Sequence, residues 1–452
     1  MSQSSIPICN IRYCHRPPAS WILAGFSLLE KDGLLKLGKV TCYDKFLSDG
    51  LYQHNNIIEV SVDNKLIVFD YENGYQSFLS SELFDNQMDN VTALFKSNCN
   101  PQKYIGLRNQ SKIHPFVAGT FTATCPDNPY DKIFADNYGF SRDGIVKFMY
   151  SVKHHKEYIR INDYRNTENL NHFDSYNLLF WTRLNEEVVT VQDIKNSYPF
   201  LDDEGAEKLS VECSAMLRDI NLKRIEICST LKKEYDDRLI GGIADGDYAR
   251  RNCPELITTD ERIATRSRYL ETMHSNIIGV ISSGHQYCIG ARFGELISSG
   301  RAIISDPFCY VLPGDFSEGK NYLSFASSDE LCEKAEFLLG NPSAVNEMET
   351  VNSQYYHNFF EPRKCVLNAL KTALPEYEIL NKEQTALCNS TIRFPKHGMP
   401  TRKQEFTTGN TAFTLQEAFP TSSSSTMICL SPTILSTGKK LNRLLTCPVF
   451  LG

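Results

Sequence analysis

The most informative part of the sequence is the run Gly284-His-Gln-Tyr-Cys-Ile-Gly-Ala-Arg-Phe-Gly-Glu-Leu-Ile-Ser-Ser-Gly-Arg-Ala-Ile-Ile-Ser-Asp306. A glycine-rich loop opens a helix, and the helix stops at Gly300 before an apolar strand begins at Ala302. Just upstream, the run 276–281 (Asn-Ile-Ile-Gly-Val-Ile) has the composition of a buried strand. Strand, loop, helix and strand in this order predict a βαβ unit with two parallel strands.

Strand and helix patterns continue on both sides of this unit. Strands are predicted at 176–181, 238–240, 276–281, 302–305 and 321–325, with the strand at 238–240 running into a loop at Gly241-Gly242. Helices are predicted at 207–231, broken in two near Asp219, at 260–273, at 291–299, and at 328–339 with Ser328 as its cap. The alternation predicts an α/β fold, with a parallel sheet in the C-terminal half and helices on both faces. Such a sheet binds ligands beyond the carboxyl ends of its strands.

The two ends of the chain have a different texture. Residues 1 to about 170 are irregular, with strand-like runs at 57–62 and 66–70 joined by the turn-like pair Asp63-Asn64. The last part contains the low-complexity run 421–426 (Thr-Ser-Ser-Ser-Ser-Thr) and is expected to be loosely ordered. We therefore divide the chain into residues 1–172, 173–378 and 379–452.

Composition excludes several classes of protein. The chain has 452 residues, of which 41% are hydrophobic and 22% charged, so wholesale disorder is excluded. It contains no run of about 18 apolar residues, so no spanning helix is predicted. A net charge of -7 argues against nucleic acid as a partner. The fifteen cysteines include no CxxC pair and the first residues resemble no secretory leader, so we expect a cytoplasmic protein.

The loop at Gly284 has features that suit an anionic ligand. Gly284 and Gly290 allow backbone N–H groups to approach a ligand closely, and the following helix N-terminus attracts anions. Arg292 offers a charged fork for phosphate, and Glu295 can accept hydrogen bonds from the two hydroxyls of a ribose. Together they predict a nucleotide-diphosphate pocket. The alternative is that Glu295 is only a first-turn carboxylate favoured by the helix dipole.

This order of motifs resembles the C-terminal, donor-binding domain of GT-B-fold glycosyltransferases. The run 292–304 (Arg-Phe-Gly-Glu-Leu-Ile-Ser-Ser-Gly-Arg-Ala-Ile-Ile) resembles the K/R-x-x-E-x-x-A-x-G-x-P-V-I signature of that domain. The pattern is similar to the family 1 and family 4 groups and to bacterial transferases of surface-polysaccharide assembly. Tyr287 stands where the family 4 pattern has a second carboxylate. The resemblance implies two Rossmann-like domains, the first for the acceptor and the second for the nucleotide-sugar donor.

The resemblance also implies roles for individual residues. Glu295 matches the glutamate that holds the donor ribose. The run 178–184 (Leu-Leu-Phe-Trp-Thr-Arg-Leu) resembles the strand-to-loop G-R-L segment, so Arg183 would face the diphosphate. Gly242 sits where the family has a glycine after its second strand. Gly284, His285 and Arg292 complete the implied donor site.

Catalysis would need a base from the N-terminal part of the chain. Asp70, at the end of a strand-like run, and His114 are the candidates, each of which can equally be structural. GT-B enzymes use helix dipoles and basic residues on the diphosphate, so neither a metal nor another cofactor is expected.

The predicted function is a glycosyltransferase that moves a sugar from a nucleotide-activated donor to a glycan or lipid-linked acceptor, with peripheral contact at a membrane surface left open. One alternative is a non-catalytic nucleotide- or sugar-binding protein with a decayed GT-B domain. Another is an interaction protein.

Overall fold

The computed structural model describes residues 5–14, 17–43, 56–72, 81–117, 123–124, 159–160, 173–198 and 201–381. The predicted loosely ordered tail lies outside the described residues, apart from its first three positions.

The N-terminal part contains a six-stranded sheet in the order β2-β1-β3-β4-β5-β6. Strand β3 alone runs against its neighbours, and all other pairs are parallel. The strands β3 and β4 form the predicted hairpin, with Asp63 of the turn at φ 51°. The elements are β1 (Ile8–Cys14), α1 (Pro17–Lys31), β2 (Lys36–Tyr43), β3 (Ile57–Val62), β4 (Lys65–Asp70), α2 (Ser81–Met88), β5 (Ala93–Lys96) and β6 (Ile113–Pro115), followed by the short pair β7 (Ala123–Thr124) and β8 (Ile159–Arg160).

The C-terminal part contains a five-stranded sheet in the order β10-β9-β11-β12-β13, and every pair is parallel. This confirms the predicted parallel sheet. Its elements are β9 (Asn177–Thr182), α3 (Val191–Ser197), α4 (Asp203–Tyr235), β10 (Leu239–Ile243), α5 (Asp247–Asn252), α6 (Arg266–Met273), β11 (Ile277–Ile281), α7 (Ala291–Ser298), β12 (Ala302–Ser305), β13 (Leu323–Ser324), α8 (Ser328–Gly340), α9 (Pro342–Tyr355) and α10 (Pro362–Ala373). A π-helical turn at Tyr356–Phe360 joins α9 to α10.

Both faces of this second sheet are buried. Leu178 and Phe180 of β9 pack in one apolar cluster with α4 and α8. Leu179, between them, packs in another cluster with α6 and α7. Because successive side chains of a strand point to opposite faces, helices must cover both sides, as predicted.

Several local predictions were wrong. Helix α4 is continuous from Asp203 to Tyr235, and Asp219 lies on its exposed side, where it does not interrupt the backbone ladder. Gly241 and Gly242 lie inside β10, not in a loop after it. Residues 260–265 precede helix α6 instead of forming its first turn, since Asp260 accepts hydrogen bonds from the N–H groups of Gly241 and Arg262. The cap of α8 is Ser327, whose Oγ accepts from the N–H of Glu330.

The C-terminal α-helix of the described residues, α10, links the two sheets. Helix α10 packs on α1, and Nε1 of Trp21 donates to the carbonyl of Phe360 over 3.0 Å. Gly25 of α1 makes this possible, because a Cβ there would lie 2.2 Å from the carbonyl oxygen of Pro362. One apolar cluster therefore runs from the N-terminal sheet to α7. The division of the chain at residues 172 and 378 stays a prediction, although α10 packs on the N-terminal side.

Among the helices that the structure describes, none combines the length and the apolar character needed to cross a membrane.

Candidate functional site

Side chains from helix α4 reach the carboxyl end of the parallel sheet. This edge is formed by the ends of β9, β11 and β12, which the chain leaves at Thr182, Ile281 and Ser305. Lys223 and Arg224 approach it from the middle of α4. A parallel sheet binds ligands beyond this edge, so these two cations lie where an anionic ligand would be bound.

Arg224 ties the loops after β9 and β11 together. Its Nη1 donates to the carbonyl of Arg183 over 2.6 Å, Nη2 to the carbonyl of Ser283 over 3.5 Å, and Nε to Oγ of Ser282 over 3.4 Å. All three acceptors are neutral oxygens. Burial lowers the pKa of Arg224, because a desolvated charge is disfavoured, although the carboxylate of Asp306 acts in the opposite direction.

His285 lies next to this arginine. Burial lowers the pKa of its imidazole, and the positive charge of Arg224 lowers it further. At neutral pH the ring is therefore uncharged and can donate or accept a hydrogen bond. The structure thus brings the predicted Gly284–His285 loop together with Arg224.

Asp306 fixes the same loop from the next strand. Its carboxylate accepts from the N–H of Ser283 over 2.9 Å and from Oγ of Ser283 over 2.7 Å. It also pairs with Nζ of Lys223 at 2.8 Å. The sequence pattern at Asp306-Pro307 is typical of a plain turn, but the carboxylate is 2% exposed and bonded on both oxygens.

The loop after Gly284 has two consecutive residues with left-handed backbone. Gln286 has φ 53° and Tyr287 has φ 56°. Such conformations are costly for residues other than glycine and persist where surrounding contacts enforce them. Here the hydroxyl of Tyr310 donates to the carbonyl of Gln286 over 2.6 Å, and Sδ of Met216 lies 3.1 Å from its N–H.

Glu295 and Arg292 form a separate cluster in the first turns of α7. The carboxylate of Glu295, which is 5% exposed, accepts on Oε2 from the Tyr269 hydroxyl and from Nη1 of Arg292, each over 2.6 Å. The Arg292 guanidinium lies 4.2 Å from the ring centroid of Trp181 and 4.7 Å from that of Tyr269. Glu295, predicted to hold the ribose, and Arg292, predicted to bind phosphate, are thus bonded to each other.

Two further predicted donor-site residues, Arg183 and Gly242, differ in their surroundings. The side chain of Arg183 is exposed, and its carbonyl accepts from Nη1 of Arg224. Gly242 lies within β10 at φ 139°, where a Cβ would be 3.0 Å from the carbonyl oxygen of Leu256. Close packing inside the domain is therefore sufficient reason for a glycine at this position.

The N-terminal candidates lie at the carboxyl ends of β4 to β6. Asp70 and Lys96 form an ion pair at 3.3 Å with both side chains 0% exposed. Nζ of Lys96 also donates to the carbonyl of Glu72 over 2.7 Å. His114 is half-buried and stacks on Phe95, and burial lowers the pKa of its imidazole.

The two sheets face each other across this region. The N–H of Ile289 donates to Oδ1 of Asn98 over 3.0 Å, and the N–H of Val311 donates to the carbonyl of Cys99 over 2.8 Å. Between them lies a cavity of about 10 Å³, lined in part by Asn98, Gly290 and Phe293. This is room for about one water molecule, so it is not a donor pocket.

No group of three or more His, Cys, Asp or Glu side chains within the described ranges is placed to hold a metal ion. The expected absence of a metal cofactor stays a prediction.

The sequence patterns assign no role in the site to Lys223, Arg224 or Asp306. The helix spacing of α4 places Lys223 and Arg224 side by side, but nothing in that spacing shows which residues meet the sheet edge. The position of Asp306 directly after a buried strand was the available signal, because that position in a parallel sheet faces the ligand crevice.

No family model matches the chain, and neither does any curated protein. Similar solved structures include the C-terminal domain of a glycosyl transferase group 1 family protein, LpcC of Francisella tularensis. It has 13% identity and a TM-score of 0.29 over 44% of this chain and 96% of that one. A structure of Anabaena HepE with UDP has 9% identity and a TM-score of 0.34 over 81% of this chain and 100% of that one. A structure of HepE with UDP and glucose has 10% identity and a TM-score of 0.32 over 86% of this chain and 100% of that one. Likenesses of this size assign no role to any residue.

Proposed function

We propose that this protein is a glycosyltransferase that moves a sugar from a nucleotide-activated donor to a hydroxyl group of a glycan or lipid-linked acceptor. The observation that carries the proposal is Arg224, a half-buried cation bonded to three neutral oxygens at the carboxyl edge of a parallel sheet. A positive charge whose bonded partners here are neutral oxygens favours an anionic ligand. A nucleoside diphosphate supplies that anion.

The leaving diphosphate would be stabilised by Arg224 and by His285. Such groups accelerate a reaction when they already point to the place where charge develops. The contacts that Asp306 makes with Ser283 keep the loop in one conformation. Glu295 would hold the ribose after exchanging its present donors.

Transfer also needs a base that removes the proton from the acceptor hydroxyl as its oxygen attacks the sugar C1 and the diphosphate leaves. Of the two candidates, we favour His114. Its pKa is lowered, so the imidazole is neutral and able to accept a proton at pH 7. Asp70 is less suitable because it is fully buried and already paired with Lys96.

One observation favours a second candidate, a non-catalytic nucleotide-binding protein. Both carboxylates that the sequence suggested, Glu295 and Asp70, are engaged in ion pairs. A binding protein would be stabilised by the nucleotide but would not release free sugar from the donor. Slow donor hydrolysis without acceptor, followed over hours, therefore separates the two candidates.

The binding experiment is a thermal-shift screen with UDP, GDP, ADP, CMP and their sugar conjugates. The variant is Arg224→Gln, and the matched control is Arg218→Gln, whose arginine lies on the same helix but is exposed and bonded to Glu187. A ligand at about 100 times its Kd stabilises the folded protein by about 2.7 kcal/mol. We expect one nucleotide to stabilise the wild type and the control but to stabilise Arg224→Gln much less.

The opposite results have clear meanings. If no nucleotide stabilises the wild type, the proposal fails and an interaction protein becomes the better explanation. We further propose that the reaction needs no metal and takes place in the cytoplasm. Donor turnover that is abolished by EDTA and restored by a divalent cation would refute the first of these statements.

A further inference from the structure

The guanidinium of Arg292 covers an aromatic corner next to the proposed ribose ligand. It lies over the rings of Trp181 and Tyr269, whose centroids are 5.2 Å apart. Its Nε donates to the carbonyl of Trp181 over 3.3 Å, and its Nη1 donates to Glu295. One side chain therefore contacts every element of this corner.

The members of the corner differ in how far they are exposed. Tyr269 is 1% exposed and Glu295 is 5% exposed, so both belong to the fixed frame. The side chain of Arg292 is 32% exposed, and α7 carries it only one residue into the helix. Arg292 is therefore the member that can rotate outward without opening the core.

The proposed function already assigns Glu295 to the ribose. We propose that Arg292 is an internal occupant of the nucleoside subsite, stacked on Trp181 where a base would stack and bonded to Glu295 until a nucleoside takes over these contacts. The inference rests on the proposed function and deepens it. The base stacks on Trp181 in place of the guanidinium, and the ribose hydroxyls donate to Glu295 in place of Nη1.

A nucleoside can make the same kinds of contact as the Arg292 side chain that it replaces. A guanidinium and a nucleobase are both planar and both stack on the face of an aromatic ring. A carboxylate accepts from a vicinal diol as it does from an arginine fork. Arg292 then acts as an internal competitor. The apparent affinity for a nucleoside equals the affinity of the open corner multiplied by the fraction of molecules in which the corner is open.

Tryptophan fluorescence tests the inference directly, because the chain has only two tryptophans. Trp21 is 0% exposed, and its indole donates to the carbonyl of Phe360, which is not part of the corner. We expect titration with UDP, GDP, ADP or CMP to change the emission of the wild type and to leave that of Trp181→Phe unchanged. Arg292→Ala should bind the same nucleotide about threefold or more tightly, because the competitor is gone.

Two further variants keep the test decisive. Arg268→Ala is the matched control, since Arg268 lies beside Tyr269 in sequence but is exposed and pairs with Glu261, and it should bind as the wild type does. Arg292→Lys keeps the charge for Glu295 without the planar fork, and it should lie between wild type and Arg292→Ala. It also serves if Arg292→Ala does not fold.

The outcomes separate this inference from the proposed function. A nucleotide that stabilises the protein through Arg224 but leaves Trp181 emission unchanged overturns the subsite alone. Unchanged or weaker binding in Arg292→Ala and Arg292→Lys overturns the role of Arg292 as an occupant. If no nucleotide binds to wild type or variants, both proposals fail.

Discussion

Nζ of Lys223 lies 2.8 Å from Oδ2 of Asp306, and this contact joins the middle of α4 to the end of β12. The same carboxylate accepts from the N–H and the hydroxyl of Ser283. A single buried acid thus sets the relative positions of a helix and of two strand ends.

The substitution Asp306→Asn should loosen the loop after β11. The amide keeps the shape of the side chain, but it loses the charge that pairs with Lys223 and one acceptor oxygen. We expect the free energy of unfolding to fall by about 1–3 kcal/mol and the nucleotide affinity to fall more than tenfold. Asp315→Asn, which breaks the exposed pair with Lys320, is the control and should leave stability nearly unchanged. Equal nucleotide affinity in both variants would contradict a positioning role for Asp306.

Glu295→Gln should weaken nucleotide binding and leave the fold intact. Glutamine fills the same space but offers one acceptor oxygen in place of a carboxylate, so it holds a ribose less well. Because Arg292 is partly exposed and can turn to water, we expect a loss of stability of only about 1–2 kcal/mol. Denaturant titration and nucleotide titration together check this. Unaltered nucleotide affinity would remove Glu295 from the donor site.

Breaking the pair of Asp70 and Lys96 should destabilise the N-terminal sheet. Both side chains are 0% exposed, so either single substitution, Asp70→Asn or Lys96→Met, leaves a buried group without its counter-charge. Each should cost about 3–5 kcal/mol, and the double variant should cost much less than the sum. Asp245→Asn, in an exposed pair with Arg250, is the control. Additive losses measured by urea denaturation would show that the pair is not coupled.

Glu349 should make stability depend on pH. It is buried beside Arg301, and burial raises its pKa from 4.5 to about 7, although the charge of Arg301 acts in the opposite direction. The folded state then binds more protons than the unfolded chain between these values. The stability contributed by Glu349 is complete below pH 4.5 and is lost as the pH rises through 7.

The comparison with Glu349→Gln isolates this contribution. His114 and His285, whose pKa values are lowered by burial, act with the opposite sign, since their share is lost as the pH falls below 6.5. Both proteins contain these histidines. The unfolding free energy of the wild type minus that of Glu349→Gln should therefore fall as the pH rises from 5 to 8. A difference that is constant over this range would refute the prediction.

The strands of the second sheet were predictable because they are buried on both faces. Such strands appear as continuous apolar runs, and β9, β11 and β12 each lie within about one residue of their predicted limits. Strand β10 was cut short at Gly241-Gly242, because glycine is unusual inside strands. A glycine is needed at 241 because of the neighbouring strand β9, since a Cβ on Gly241 would be 2.4 Å from the carbonyl oxygen of Phe180.

The strand order of the N-terminal sheet and the position of Arg224 in the site could not be predicted from the sequence. The hairpin of β3 and β4 is local and was predicted, but the order of six strands depends on pairings between distant segments. Arg224 reaches the sheet edge because of the way a 33-residue helix packs, and no sequence motif predicts that packing. The bond between Arg292 and Glu295 follows from their i,i+3 spacing, whereas the stacking on Trp181 joins residues 111 positions apart.

The packing of α10 on α1 has a consequence for synthesis of the chain. The indole of Trp21 finds its acceptor 339 residues later. At about 5–20 residues per second, a ribosome needs roughly 20–70 s to produce that partner. The side of α1 that packs on α10 therefore lacks this partner during that interval, and we expect chaperones that hold unfinished chains to bind the newly made N-terminal segment.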